Sequence, residues 1–259
     1  MLENEGKKSL EALLGMAKVY ERQKKYDKGI DKLSEACVVF PNFKPAMVEK
    51  AKLQIQNNEW DEAMSGITTV TATDKSNIEA LRLYVFYLLA RENDNELSEE
   101  KLNELVETMK KYESKNADLF YNISRLFARY CGRKEFILNR TLQILDFAIM
   151  LSPDNALYLT EVGHQKALMN DYNGAYNVFQ RAVALDDQNL QPLFGMIYCR
   201  VKQEMLDDAQ AQLEFISEIV DESNKPADHY FLEALVEWRL KGNKTEAIRM
   251  LDSCLNLHI

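Results

Sequence analysis

The stretch ALYLTEVGHQKALMNDYNGAYNVFQRAVALDDQN, residues 156–189, decides the fold, because its apolar and small side chains return at a fixed interval. Leu159, Val162, Gly163, Tyr172, Ala175, Phe179 and Ala182 are matched about 34 residues on by Leu193, Met196, Ile197, Leu206, Ala209, Leu213 and Ile216. Near the start, Leu13, Met16, Ala17, Tyr26, Gly29, Leu33 and Ala36 fill the same slots, with Pro41 where a second helix should stop. The next unit supplies Met47, Ala51, Trp60, Ala63, Ile67 and Val70. A period of about 20 to 50 residues marks stacked supersecondary units, each too small to bury its own apolar face.

The other units are looser. In the third, Ile78 to Ala90 predicts a first helix, and the acidic Glu92 to Glu96 stretch delays the second to about Ser98, after which Lys101, Leu102, Leu105, Val106 and Met109 keep helical spacing. In the fourth, the first helix ends at Cys131-Gly132, where glycine supplies the left-handed conformation that closes many helices. About five extra residues then precede Thr141, Leu145 and Ala148. The seventh uses Phe231, Leu235 and Trp238, then Ala247, Leu251 and Cys254. The expected organisation is a tail at 1–9 and a single solenoid over 10–259, with units at about 10–43, 44–77, 78–116, 117–155, 156–189, 190–223 and 224–259. That makes seven units and about fourteen helices without strands.

Composition agrees. With 46% hydrophobic and 28% charged residues the chain is neither disordered nor a membrane bundle. Nine glycines and five prolines in 259 residues leave room for few turns and many long helices. The longest apolar run, Leu83 to Ala90, is far short of the roughly 20 residues a membrane-spanning helix needs. A net charge of −9 with interspersed signs lacks the positive field that nucleic-acid binding uses. Cys37, Cys131, Cys199 and Cys254 match no metal knuckle or disulfide framework, and are read as reduced packing residues in a cytosolic-type compartment.

The pattern resembles the tetratricopeptide repeat, which implies an all-α solenoid, a right-handed superhelix of helix-turn-helix units of about seven repeats. In that scheme Ala17, Gly29, Ala36, Ala51, Ala63, Gly163, Ala175, Ala182 and Ala209 are packing positions, Tyr26, Trp60 and Tyr172 open the second helices, and Phe179 and Pro41 complete the set. Five positions on each first helix face the concave groove. These include Arg82 and Phe86, Tyr121, Arg125 and Arg129, Thr160 and His164, then Phe194 and Tyr198, with Lys18, Arg22 and Lys52 in the first two units and acidic entries mainly at Glu11, Glu21, Glu79 and Asp118. Set against −9 overall, the groove residues are basic and aromatic. Aromatic and arginine side chains are enriched at protein interfaces. The implied partner is an acidic peptide or amphipathic helix with apolar anchors.

No catalytic, cofactor or metal site is expected. His164, His229 and His258 lack ligand-spaced partners, and there is no glycine-rich phosphate loop. The acidic pairs Glu99-Glu100, Asp186-Asp187 and Asp207-Asp208 are read as solvated residues at helix starts or turns. Met16, Met47, Met109, Met196 and Met250 are read as core filler. The chain is therefore read as a non-enzyme.

Several strings go beyond the general repeat: Phe40-Pro41-Asn42-Phe43-Lys44-Pro45-Ala46, Trp60-Asp61, Ala80-Leu81-Arg82, Leu119-Phe120-Tyr121-Asn122-Ile123, Cys131-Gly132-Arg133 and Gln212-Leu213-Glu214-Phe215. Their order and spacing resemble the tetratricopeptide repeat domain 21 family, the large all-repeat subunit of intraflagellar transport complex A. The resemblance implies a protein-interaction scaffold that supports retrograde ciliary transport and cargo entry, binds other subunits of that complex, and resides in the cytoplasm, cilium and ciliary base. It also implies that the chain is a piece of a longer protein with Met1 as an internal start, and that the apolar last helix, through Ile259, is a cut surface. The alternatives are an adaptor from another pathway and a repeat region regulating an attached enzyme.

Overall fold

The computed structural model describes residues 9–92, 94–220 and 225–256. The tail at 1–8, the Cys254 side chain, Leu257, His258 and Ile259 lie outside the described residues. Among the described residues there are fourteen α-helices and no strand, so the expected all-α repeat fold forms.

The helices fall into two compact units that divide between Lys115 and Asn116. The first holds α1 (Leu10–Arg22), α2 (Tyr26–Val39), α3 (Lys44–Gln56), α4 (Trp60–Thr73), α5 (Ile78–Tyr87), a π-helical turn (Leu88–Glu92) and α6 (Asn95–Tyr112). The second holds α7 (Ala117–Tyr130), α8 (Glu135–Leu151), α9 (Ala156–Leu168), α10 (Tyr172–Leu185), α11 (Leu190–Lys202), α12 (Leu206–Ile219), α13 (Ala227–Lys241) and α14 (Lys244–Asn256). Odd-numbered helices open hairpins and even-numbered helices close them.

One device reverses the chain inside four of the hairpins. Lys24, Asn58, Asn170 and Glu204 are left-handed, with φ of 57°, 63°, 63° and 61°. The following amide reaches back to a carbonyl in the last turn of the opening helix: Lys25 N to Tyr20 O at 2.9 Å, Glu59 to Gln54 at 2.8 Å, Asp171 to Lys166 at 2.9 Å and Met205 to Arg200 at 3.0 Å. These bonds satisfy carbonyls that the helix end leaves without partners. In the fourth hairpin Gly132 and Arg133 are both left-handed, and in the seventh Gly242 is.

A second device starts the next hairpin. The side chains of Asn77, Asn116, Asn155 and Asn189 accept hydrogen bonds from first-turn amides of α5, α7, α9 and α11. Each such cap is worth about 1 kcal/mol. At the corresponding loop of the second hairpin, Phe43 gives no side-chain cap, and Pro45 sits in the first turn of α3.

The third hairpin departs from expectation. Helix α6 begins at Asn95, three residues before Ser98, because Asp94 caps it by accepting from the Leu97 amide at 3.0 Å. Ser98 lies inside the helix, fully buried, with its hydroxyl donating to the Asp94 carbonyl. In the fourth hairpin the extra residues mostly extend the helices, α7 having 14 residues where α9 has 13 and α8 having 17 where α10 has 14, and one more lengthens the turn between them.

In the first unit, Leu13, Ala17, Leu33, Ala36, Ala46 and Leu53 form one core, and Val48, Ala51, Ala63, Ile67, Val70, Ala80 and Leu83 the next. Trp60 opens α4 half-buried, its ring stacked on Phe86 at 6.4 Å. In the seventh hairpin Phe231, Trp238 and Leu251 are exposed, and in the first unit two packing expectations fail. Pro41 is exposed in the loop after α2, so it stops a helix without packing, and Met16 is exposed on α1, which no described helix precedes.

The tightest packing in the second unit centres on Phe179 of α10, which is 1% exposed. A Cβ at Gly163 of α9 would lie 2.5 Å from its ring, and one at Gly195 of α11 would lie 2.4 Å from it. Both contacts are shorter than carbon atoms tolerate, so the ring fits only between two residues without side chains.

Gly195→Ala should therefore lower the unfolding free energy. Overpacking costs about 1–3 kcal/mol, against a helix-propensity gain of about 1 kcal/mol. Combining it with Phe179→Leu should give less than the sum of the single losses in urea denaturation, and strict additivity would mean the ring is free to move. Lys24→Gly should stabilise by about 0.5–1 kcal/mol by relieving left-handed strain, whereas Lys25→Gly, at φ −96°, should not.

Candidate partner-binding cleft

The opening helices of the second unit line a cleft of about 360 Å³. Its floor is apolar, with Leu168 on α9, Phe179 on α10, Phe194 on α11, and Phe231 and Leu232 on α13. Its polar lining is Arg129 in the last turn of α7, Arg133 in the turn that follows, His164 and buried Glu161 on α9, Gln191 and Tyr198 on α11, and Asp228 on α13. The first unit has a smaller cleft of about 200 Å³ where Lys18, Glu21 and Glu49 surround Leu14, Phe43 and Leu53.

The expected groove residues divide among several environments. Arg129, His164, Phe194 and Tyr198 converge on the larger cleft. Tyr121 is buried and stacked on Tyr158 at 5.1 Å, and exposed Arg125 lies over the Tyr121 ring at 6.0 Å. Neither lines the cleft. Arg82 and Phe86 belong to the first unit, where Arg82 Nε donates to Glu79 Oε2 at 2.8 Å and Phe86 stacks on Trp60. Buried Thr160 donates to the Ala156 carbonyl at 2.7 Å within its own helix.

The cleft also contains charges that the reading by position missed. Glu161 is buried, and its Oε1 accepts from Gln165 Nε2 at 3.0 Å while its Oε2 lies 3.7 Å from Arg129 Nη2. The Gln165 amide also donates to Ser124 Oγ at 2.8 Å, and Ser124 donates to the Thr141 carbonyl at 2.8 Å. This chain ties α9 to α7 and α8 beneath the cleft. Burial raises the Glu161 pKa, partly opposed by the Gln165 hydrogen bond and by Arg129. Asp228 accepts from Gln191 Nε2 at 2.8 Å. Two arginines thus face two carboxylates, so the cleft is balanced in charge rather than basic. Asp228 holds on α13 the same register that Gln191 holds on α11, and carrying the positional list one repeat further finds it. No positional signal marks Glu161.

His164 packs edge-on against Phe179 at 5.2 Å. Its pKa is lowered to about 4, first by burial and then by Arg129. At neutral pH it is an uncharged rim donor or acceptor.

A second polar cluster imitates a catalytic constellation. Ser217 Oγ lies 3.0 Å and Glu233 Oε1 3.1 Å from His229, but both contacts fall on Nε2. A nucleophile–base–acid relay needs both ring nitrogens. Here Nδ1 is buried without a partner and the ring is fully buried, so this cluster cannot relay a proton to a bound molecule. Among the described residues no group of three or more His, Cys, Asp or Glu side chains is arranged to hold a metal ion, and no helix is long and apolar enough to cross a membrane.

The His164 shift has a defined pH consequence. The unfolded imidazole takes a proton near pH 6.5 and the folded one only near 4, so the unfolded state binds more protons between those values. His164 therefore reduces stability as pH falls from about 6.5 to 4 and has no effect above that window. In His164→Gln this part of the pH dependence should vanish, measured by denaturation at several pH values. An imidazole NMR titration with a midpoint near 6.5 would contradict the packing described.

Two family models match the chain: Tetratricopeptide repeat protein 21 second ARM domain over residues 100–259, and Tetratricopeptide repeat protein 21 N-terminal ARM repeat over residues 1–64. Human Tetratricopeptide repeat protein 21B is 34% identical over 247 residues, covering 95% of this chain and 19% of that protein. Mouse Tetratricopeptide repeat protein 21A is 26% identical over 251 residues, covering 97% and 19%. The chain thus spans about a fifth of the length of these relatives. Among solved structures, a tetratricopeptide repeat protein from Parabacteroides merdae superposes with a TM-score of 0.61 at 12% identity, covering 95% of this chain and 98% of that one. PilW, a type IV pilus biogenesis factor, gives 0.60 at 13% identity, covering 82% and 94%. At such identities these two structures show the fold alone, the tetratricopeptide-repeat fold. Together with the seven hairpins, the matches show that the chain belongs to the tetratricopeptide repeat protein 21 family of repeat scaffolds.

Proposed function

We propose that this chain is part of a non-catalytic protein-interaction scaffold of intraflagellar transport complex A, acting at the cilium and ciliary base in retrograde transport and cargo entry. Its cleft in the second unit seats an amphipathic segment of another subunit. The observation that carries the reading is the cleft itself, in which Phe194, Phe231 and Leu232 form an apolar floor inside a polar rim. That arrangement of an apolar centre within a polar border is the one protein interfaces use. Because Arg129 and Arg133 face Glu161 and Asp228, an apolar anchor supplies most of the affinity, and an acidic residue on the partner near exposed Arg133 sets orientation.

The test is affinity purification of the full-length parent from ciliated cells, with quantification of co-purifying chains. Phe231→Ser should weaken capture of transport subunits at least about tenfold, since truncating a central anchor costs about 2 kcal/mol or more. Arg133→Glu should have a smaller effect that fades with salt. Unchanged capture by Phe231→Ser would remove the cleft as the docking site. Capture of proteins from another pathway in place of transport subunits would favour a different adaptor role.

A further inference from the structure

Beyond the cleft, the second unit has a separate surface at the far ends of its closing helices. Leu151, Leu185 and Ile219 are the last residues of α8, α10 and α12, and they recur every 34 residues. They are 42%, 46% and 57% exposed. Leu157, at the start of α9, lies with Leu185 in one shallow depression bordered by Asp154 and Asp186.

The charge around this column is mainly negative, with Arg181, one turn before Leu185 on α10, as its exposed cation. Asp154, Asp186, Asp187 and Glu218 are exposed beside it. The helix ends add to this field. The last turns of α7, α9, α11 and α13 carry Arg129, Lys166, Arg200 with Lys202, and Arg239 with Lys241, which offset the negative end of the helix dipole. The last turns of α8, α10 and α12 carry no basic residue. The edge therefore combines an apolar ladder with uncompensated negative helix ends, and the complementary surface is an apolar stripe flanked by lysine or arginine.

We infer that this edge docks a basic amphipathic helix of a partner protein, whose apolar stripe lies along Leu151, Leu185 and Ile219 and whose cations meet the aspartates and helix ends. The surface is distinct from the cleft and does not depend on the reading given to the cleft.

The experiment uses the chain itself and two fluorescein-labelled synthetic helices with the same leucine stripe, one flanked by lysine and one by glutamate, followed by fluorescence anisotropy. The lysine helix should bind, and the glutamate helix should bind at least tenfold more weakly. Leu151→Ser/Leu185→Ser/Ile219→Ser should weaken the lysine helix at least tenfold while leaving the helical circular-dichroism spectrum at the assay temperature unchanged, because all three side chains are partly exposed at helix ends. Asp186→Lys/Asp187→Lys, which keeps the apolar ladder, should shrink the preference for lysine. Phe231→Ser, in the cleft, should leave binding as it was. Equal binding of both helices, full binding by the triple serine variant, or loss of binding in Phe231→Ser would each overturn the inference. So would binding to neutral phosphatidylcholine vesicles in place of the lysine helix.

Discussion

The hydrogen bond that reverses four of the hairpins sets where the second helix of each begins, and the packing contacts downstream inherit that register. At Tyr20, Gln54, Lys166 and Arg200 a carbonyl in the last turn is claimed by the amide just beyond a left-handed residue. A closing helix that began one residue later would be rotated by about 100° and would present a different face to its neighbour. The alanines that let helices approach, Ala36, Ala63, Ala175 and Ala209, are buried because this turn places them at the crossing. Strain at a non-glycine left-handed residue is offset by the carbonyl it satisfies and by the burial that follows.

The cleft depends on the same register. Opening helices held in parallel bring one turn of each to a common surface, so residues far apart in sequence meet there. What the register does not fix is sign. Glu161 enters the cleft from a position between the exposed and packed faces of α9, and its carboxylate is held by Gln165 and Arg129. The result is a surface with strong local charges and little net field. Such a surface discriminates among partners by how charges line up, more than by how many a partner carries.

Much of this was legible from the sequence. Period and small-residue spacing located the hairpins, since helix crossings admit few side chains and repeat wherever the crossing repeats. Arg129, His164, Phe194 and Tyr198 were found by position because they sit at regular helical offsets. Tyr121 was misread because an aromatic ring at a groove position can turn sideways and stack, as it does on Tyr158. The start of α6 was misread because Asp94 is a cap only once its side chain folds back on the Leu97 amide, and an acidic stretch does not reveal which of its members will do so. Glu161 was missed for a related reason: Gln165, four residues on along α9, holds its carboxylate, and Gln165 is itself fixed by Ser124 on α7, a cross-helix contact that no local spacing encodes.

The ring of Phe179 imposes an order on sequence change. It needs the absence of a side chain at two sites, Gly163 and Gly195, that precede and follow it in the chain. A lineage can reach this arrangement only by clearing both glycine positions before the ring arrives, and once the ring is present neither position can drift alone. Each of the three residues therefore holds the other two in place, and a change that looks conservative at any one of them is open only to a sequence that has already altered another.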